Sequence, residues 1–167
     1  MSADLKRTVA ELEARERALV FDSFDNDDAW VLGNLVVSMA RDRDLPIVVS
    51  IRRGGQLLFH HARPGTTPDN DAWVARKSRV AERFHQSSYL MRQRCELEGR
   101  TFEERNRLDP DEYAAHGGSV PIRVARVGVV GSITVSGLPD YRDHEVACEA
   151  VETYLGNGTA TSVRRDG

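Results

Sequence analysis

The run Ile51-Arg52-Arg53-Gly54-Gly55-Gln56-Leu57-Leu58-Phe59-His60-His61, continued through Ala62-Arg63-Pro64-Gly65-Thr66-Thr67-Pro68-Asp69-Asn70 to Asp71-Ala72-Trp73-Val74-Ala75-Arg76-Lys77, decides how the chain folds. Pro46 opens Ile47-Val48-Val49-Ser50-Ile51-Arg52, whose β-branched density predicts a strand. Gly54-Gly55 accepts the positive φ of a tight turn, and Gln56 to His61 returns as a second strand. So short a link cannot cross over a sheet, so the pair is antiparallel. Alternation then sends Leu57, Phe59 and His61 to one face and Leu58 and His60 to the other, so the adjacent histidines are not expected to share one metal. After the Pro64-Gly65 corner, Thr66, Thr67 or Asp69 is placed to cap a helix running towards Glu98. Its inward stripe is expected to be Trp73, Lys77, Val80, Phe84, Ser87, Ser88 and Met91. A lysine on that stripe either snorkels from the core edge or points its ammonium into a pocket.

Working outward, Leu5, Val9, Leu12, Glu16 and Leu19 recur at helical spacing and predict a first amphipathic helix from Leu5 to Val20. Asp25-Asn26-Asp27-Asp28 supplies a cap and an acidic first turn for a second helix. Ala29, Leu32, Gly33, Val36, Val37 and Ala40 form its apolar face, small enough in places for close packing. Beyond the central helix, Thr101 to Arg107 reads as irregular, and Asp109-Pro110-Asp111-Glu112 as the start of a short helix ending at Gly117-Gly118. A second hairpin follows, Ser119 to Arg126 and Val127 to Ser136, turning near Arg126 to Gly128. Leu138-Pro139-Asp140 introduces a last helix that Gly156-Asn157-Gly158 is expected to stop, leaving residues 159–167 as a flexible tail after a single domain over residues 1–158. Two hairpins separated by a long helix make an α/β fold with a central antiparallel sheet flanked by helices.

At 167 residues the chain can bury a core as one domain. A formal charge of −3 excludes broad nucleic-acid binding, which needs a concentrated basic face. Arg52, Arg53, Arg63, Arg76, Lys77 and Arg79 remain as either a local anion patch or an ordinary solvated set. Cys95 and Cys148 fall in predicted helices, far from any zinc or redox spacing, and suit the reduced thiols of a cytoplasmic protein. Glu11, Glu13 and Glu16 interrupt the apolar core that a signal peptide requires, and no run approaches the length of a membrane span. A cytoplasmic protein without membrane contact is expected.

The polar corner is the candidate site. Backbone N–H groups at the start of the central helix could receive a small anionic ligand, with Arg52, Thr66, Thr67, Asp69, Asn70 and Lys77 around it. The same Thr/Asp/Asn set could instead tie down a rigid corner and an oligomer interface. Haem binding needs an axial ligand, an apolar slot and cations for the propionates. His60, His61, His85 and His116 are the candidate haem or metal ligands, with Arg52, Arg76 or Lys77 as propionate partners. Covalent attachment is not expected without a Cys-x-x-Cys-His motif, nor zinc catalysis without a His-Glu-x-x-His segment. Asp143 and His144 are neighbours on a helix and point different ways. Cys95 or Cys148 would become a nucleophile only if a histidine approached it. Gly54-Gly55 lacks the Lys-Ser/Thr ending of a phosphate loop.

Taken together, Phe24-Asp25-Asn26, Ile51 to Phe59, Pro64 to Asn70, Trp73 to Lys77, Ser87-Ser88-Tyr89, Tyr113 through Ile122 and Gly128 to Pro139 resemble the UPF0303 family, within the superfamily of haem-degrading or haem-binding HbpS/GlcG-like domains. The matching stretches span roughly Val20 to Val151. The resemblance implies a profilin-like domain with a central antiparallel sheet that assembles as dimers or higher oligomers. It also implies a superfamily some of whose members bind haem, and a cytosolic member associated with a tail-anchored protein targeting complex. Its extracellular haem sensors carry secretion signals, which this sequence does not show. Three expectations follow: an oligomeric small-ligand-binding or assembly protein with a possible protein partner, a haem-binding protein, or a small-molecule enzyme of unknown reaction.

Overall fold

The computed structural model describes the backbone of residues 2–165 and the side chains of residues 2–157. Its elements are α1 (Ser2–Ala18), β1 (Val20–Phe21), α2 (Asn26–Asp42), β2 (Val48–Arg53), β3 (Gln56–Ala62), α3 (Pro68–Phe84), α4 (Ser88–Leu97), α5 (Phe102–Asn106), β4 (Ser119–Val124), β5 (Gly128–Ser136) and α6 (Asp140–Arg165). Both expected hairpins form, and they join because β5 pairs antiparallel with β2 as well as with β4. The sheet has five strands in the order β1-β4-β5-β2-β3. The extra strand, β1, runs parallel to β4 and makes the sheet mixed rather than purely antiparallel.

The two faces of this sheet differ in chemistry. One carries Val49, Ile51, Val120, Ile122, Ile133 and Val135, packed against Ala29, Leu32, Val36 and Ala40 of α2 and Val146, Ala147 and Val151 of α6. Gly33 permits the closest approach, since a Cβ there would lie 2.4 Å from the Phe59 ring. The opposite face, under α3, is a layer of buried hydroxyls. Ser50, Thr134 and Ser119 sit side by side across β2, β5 and β4, and Ser132 and Ser136 are buried with them. Thr134 Oγ1 donates to Ser119 Oγ at 2.9 Å, while Ser119 N–H donates to Ser88 Oγ at 3.1 Å. A smaller apolar cluster, Val80, Met91, Cys95, Phe102 and Ala115, joins α3, α4 and α5 beyond that layer.

The structure corrects five local expectations. The central helix is two helices: His85 takes a left-handed φ of 55°, and Ser87 caps a fresh start by accepting from Leu90 N–H at 3.1 Å. A serine that can bond the backbone locally competes with helix continuation, so Ser87 and Ser88 form a joint rather than a stripe. The Asp109-Pro110 helix does not form, since Gly117-Gly118 follows too soon to repay nucleation. Only a turn remains, with the Glu112 and Tyr113 N–H groups on the Asp109 carbonyl. The segment read as irregular instead holds α5, begun by Thr101 and Glu104 in a reciprocal capping box. Finally, a bulge where Ile51 and Arg52 face Phe59 and Leu57 breaks the strict alternation of β3, and Leu57 shares a groove with His60. The α6 backbone also runs on through Gly156-Asn157-Gly158. The expected looseness of residues 159–167 falls where side chains, and finally backbone, lie outside the described residues.

Candidate functional site

Lys77 is the most constrained charged group of the predicted set. The third turn of α3 carries it onto the sheet face, where it is 2% exposed. Its ammonium donates to Val135 O at 2.7 Å, Gly117 O at 3.0 Å and Asp143 Oδ2 at 3.2 Å. An ammonium has three protons, so every donor is used. Gly118, at φ +134°, leaves the room: a Cβ there would stand 2.6 Å from Lys77 Nζ and 2.2 Å from Val135 O. Burial pulls Lys77 below the usual lysine range against the opposing pull of Asp143. Burial likewise pushes Asp143 up to about 6, although Lys77 and the Leu138 N–H, 3.0 Å from Oδ1, favour its charged form.

Above this pair lies a recess of about 240 Å³ bordered by Asp69, Asn70, Trp73, His116, Gly137 and Asp140. The structure therefore brings Asp69, Asn70 and Lys77 together and adds His116. Its ring meets the Trp73 ring edge-on at 5.0 Å, and its Nδ1 lies 3.3 Å from Arg92 Nη1. Burial and the Arg92 charge hold His116 below the ordinary imidazole range. Arg92 is in turn paired with Asp140. His116 also borders a second recess of about 410 Å³ beside Phe102 and Arg100.

The rest of the predicted set is dispersed. Thr66 Oγ1 donates to Arg63 O at 2.7 Å, and Asn70 Oδ1 accepts from Thr67 N–H at 2.8 Å, so both threonines stiffen the corner. Arg52 points the other way, donating to Gly55 O at 2.8 Å in the hairpin turn. It shares a groove with His60, whose Nε2 is 2.6 Å from Asp71 Oδ1. His61 is exposed on the edge strand β3. His85 ends α3, its carbonyl receiving Arg123 Nη2 at 2.8 Å. Among the described residues, no three His, Cys, Asp or Glu side chains gather where they could hold a metal.

A histidine does approach a cysteine: His144 Nε2 is 3.4 Å from Cys148 Sγ, one helical turn away on α6. Asp143 and His144 diverge as expected, His144 packing against the Tyr89 ring at 5.0 Å. Burial lowers His144 to about 4 and raises the Cys148 thiol to about 12. Those shifts oppose a thiolate–imidazolium pair, so the contact is an inert core packing rather than an activated nucleophile. Sequence reasoning missed Asp143 as the partner of Lys77, because sixty-six residues separate them. The Gly117-Gly118 pair before a strand was the available sign of a close approach.

The family model described as "Haem degrading protein HbpS-like" matches residues 24–152. A UPF0303 protein of Streptomyces coelicolor is 60% identical over 149 residues, covering 89% of this chain and 94% of its own length. Another, from Acidobacterium capsulatum, is 43% identical with 94% and 95% covered. Among solved structures, the Ybr137w protein superposes with a TM-score of 0.84 at 31% identity, over 90% of this chain and 89% of that one. HbpS, at 19% identity and a TM-score of 0.63, covers 79% of this chain and 89% of its own and shares the fold. With relatives this similar across nearly the whole length, the chain belongs to the UPF0303 family and shares its fold with the HbpS/GlcG-like domains.

Proposed function

We propose that this protein is a cytoplasmic binding and assembly protein that works as a homo-oligomer, with the Lys77 recess as its small-ligand site. The observation that carries assembly is an apolar patch on the outward side of α2. Trp30 and Val31 stand 65% and 55% exposed there, and Trp30 meets the Phe59 ring edge-on at 6.1 Å. A helix with large apolar side chains exposed side by side is ordinarily covered there. This one lies beside β3, an edge strand with one side of its backbone ladder unpaired. A second copy of the chain satisfies both needs. Two unpaired, buried cysteines agree with a reducing compartment, and among the described residues no helix is long and apolar enough to cross a membrane. In the recess, a small ligand would meet His116 at the rim, with Arg92 3.3 Å behind its Nδ1, while Lys77 is held by its three oxygens rather than free to donate. The test is sedimentation of the purified chain and of Trp30→Glu. The wild type should sediment as a multimer and the variant as a folded monomer. A wild type that remains monomeric at tens of micromolar overturns the reading.

Haem is the second reading, favoured by the position of His116 between the two recesses with Trp73 and Arg92 beside it. PduOC, a fold neighbour at 18% identity and a TM-score of 0.64, was solved as a heme complex. A saturable Soret change lost in His116→Ala would support haem here, and an unchanged titration in that variant would remove His116 as its ligand.

A further inference from the structure

We propose that the groove between α3 and the β2–β3 hairpin, on the opposite flank of α3 from the Lys77 recess, binds a free α-amino acid with an aliphatic side chain. It encloses about 350 Å³, within the roughly 300–1,000 Å³ usual for small-ligand sites. The space exists because that part of the interface is built from small residues: Ser50 on the sheet, and Ala75 and Ser78 on the helix. No large side chain fills the layer between them.

The charges in the groove are the argument. Arg52 and Arg79 supply two guanidinium groups, and Asp71 and Glu82 two carboxylates, so the lining is balanced. Each is anchored by one polar contact: Arg52 to Gly55 O at 2.8 Å, Arg79 to Glu112 O at 3.1 Å, Glu82 to the Ser132 hydroxyl at 2.9 Å and Asp71 to His60 at 2.6 Å. Yet among the described residues Arg52, Arg79 and Glu82 form no ion pair. Arg52 lies directly across the sheet from Ser132, the residue that holds Glu82. Opposite charges thus converge on one place and are held apart, each with hydrogen-bonding positions left over. A molecule carrying a carboxylate and an ammonium two bonds apart bridges such a gap: the carboxylate to Arg52, where bidentate geometry is available, and the ammonium to Glu82. The β3 bulge turns Leu57 into the same groove opposite Val74, and these two give an aliphatic side chain its apolar contact. Bulges commonly re-aim a side chain in this way.

L-Leucine is the probe, with N-acetyl-L-leucine and L-leucinamide as controls that each remove one charge. Titration of the full chain, followed by calorimetry and by amide chemical shifts, should show saturable L-leucine binding centred on β2, β3 and α3. Either control should bind at least tenfold more weakly. Arg52→Gln and Glu82→Gln should each weaken L-leucine tenfold or more, while each variant keeps a cooperative unfolding transition and the wild-type sedimentation coefficient. Absence of L-leucine binding at millimolar concentration overturns the proposal. So does equal binding of N-acetyl-L-leucine, which would mark an anion site, or binding that persists unweakened in both folded variants. The assembly reading is decided separately by sedimentation, because Trp30 does not line this groove.

Discussion

At the scale of single residues, burial sets the chemistry. The Lys77–Asp143 pair is almost wholly buried at the floor of its recess, each side chain 3% exposed. Such a pair is weak evidence of stability in itself, but removing one partner strands the other. Lys77→Met should therefore cost about 3–5 kcal/mol in urea unfolding. Adding Asp143→Asn, which keeps an oxygen for the Leu138 N–H, should recover part of that loss. A double variant as unstable as the sum of the singles would show that the pair is not coupled. His144 is the complementary case. Its folded value of about 4 lies below the ordinary 6.5, so the unfolded chain binds the proton first as the solution is acidified. The stability this supplies is present above pH 6.5 and is lost as the pH falls towards 4. Relative to His144→Leu, the wild type should lose about 3 kcal/mol across that window. Parallel stability–pH curves for the two proteins would refute the assignment.

At the scale of elements, local signals fared according to whether their cause was local. The β2–β3 hairpin was legible because Gly54-Gly55 and the β-branched run before it act within a few residues. The α2 start was legible for the same reason: Asp25 and Asp28 do form a reciprocal capping box. The joint between α3 and α4 was not, since His85 is an ordinary helix residue until tertiary packing holds it at positive φ. The grouping of Asp69, Asn70 and Lys77 could be read from helix spacing, whereas Arg52 was sent elsewhere by the hairpin turn that its own side chain grips. His116 gave no sign of joining the recess, because its place depends on Gly117-Gly118 folding back over α6, where a Cβ on Gly117 would lie 2.0 Å from Asp140 O. The joint makes a prediction whose sign is informative. In a continuous helix, His85→Gly would destabilise, as glycine does in helix interiors. At a left-handed C-cap it should be neutral or stabilising by up to about 1 kcal/mol. Thermal unfolding of the variant distinguishes the two.

For the whole molecule, the unequal faces of the sheet matter most. The face under α2 and α6 buries branched aliphatics, each worth about 1.5–3 kcal/mol when removed from water. The face under α3 buries Ser50, Ser119, Ser132, Thr134 and Ser136, which contribute hydrogen bonds of smaller net value. The helix α3 is thus fastened by discrete polar contacts, Lys77 to three oxygens and Glu82 to Ser132, more than by an apolar interface with the sheet. It is also flanked by two clefts, the Lys77 recess and the Arg52 groove. A helix held this way should open by itself at a free energy below that of global unfolding. Native-state hydrogen exchange should show α3 amides exchanging through a sub-global opening while those of β2 and β5 exchange only with the whole. Lys77→Met should speed α3 far more than β5. A ligand seated in either cleft bridges α3 to the sheet, so it should slow exchange in α3 first, which gives binding a readout that does not depend on turnover. If α3 and β5 amides share one opening free energy, with and without Lys77, then the hydroxyl layer fastens the helix as firmly as an apolar core and neither cleft can work by holding it down.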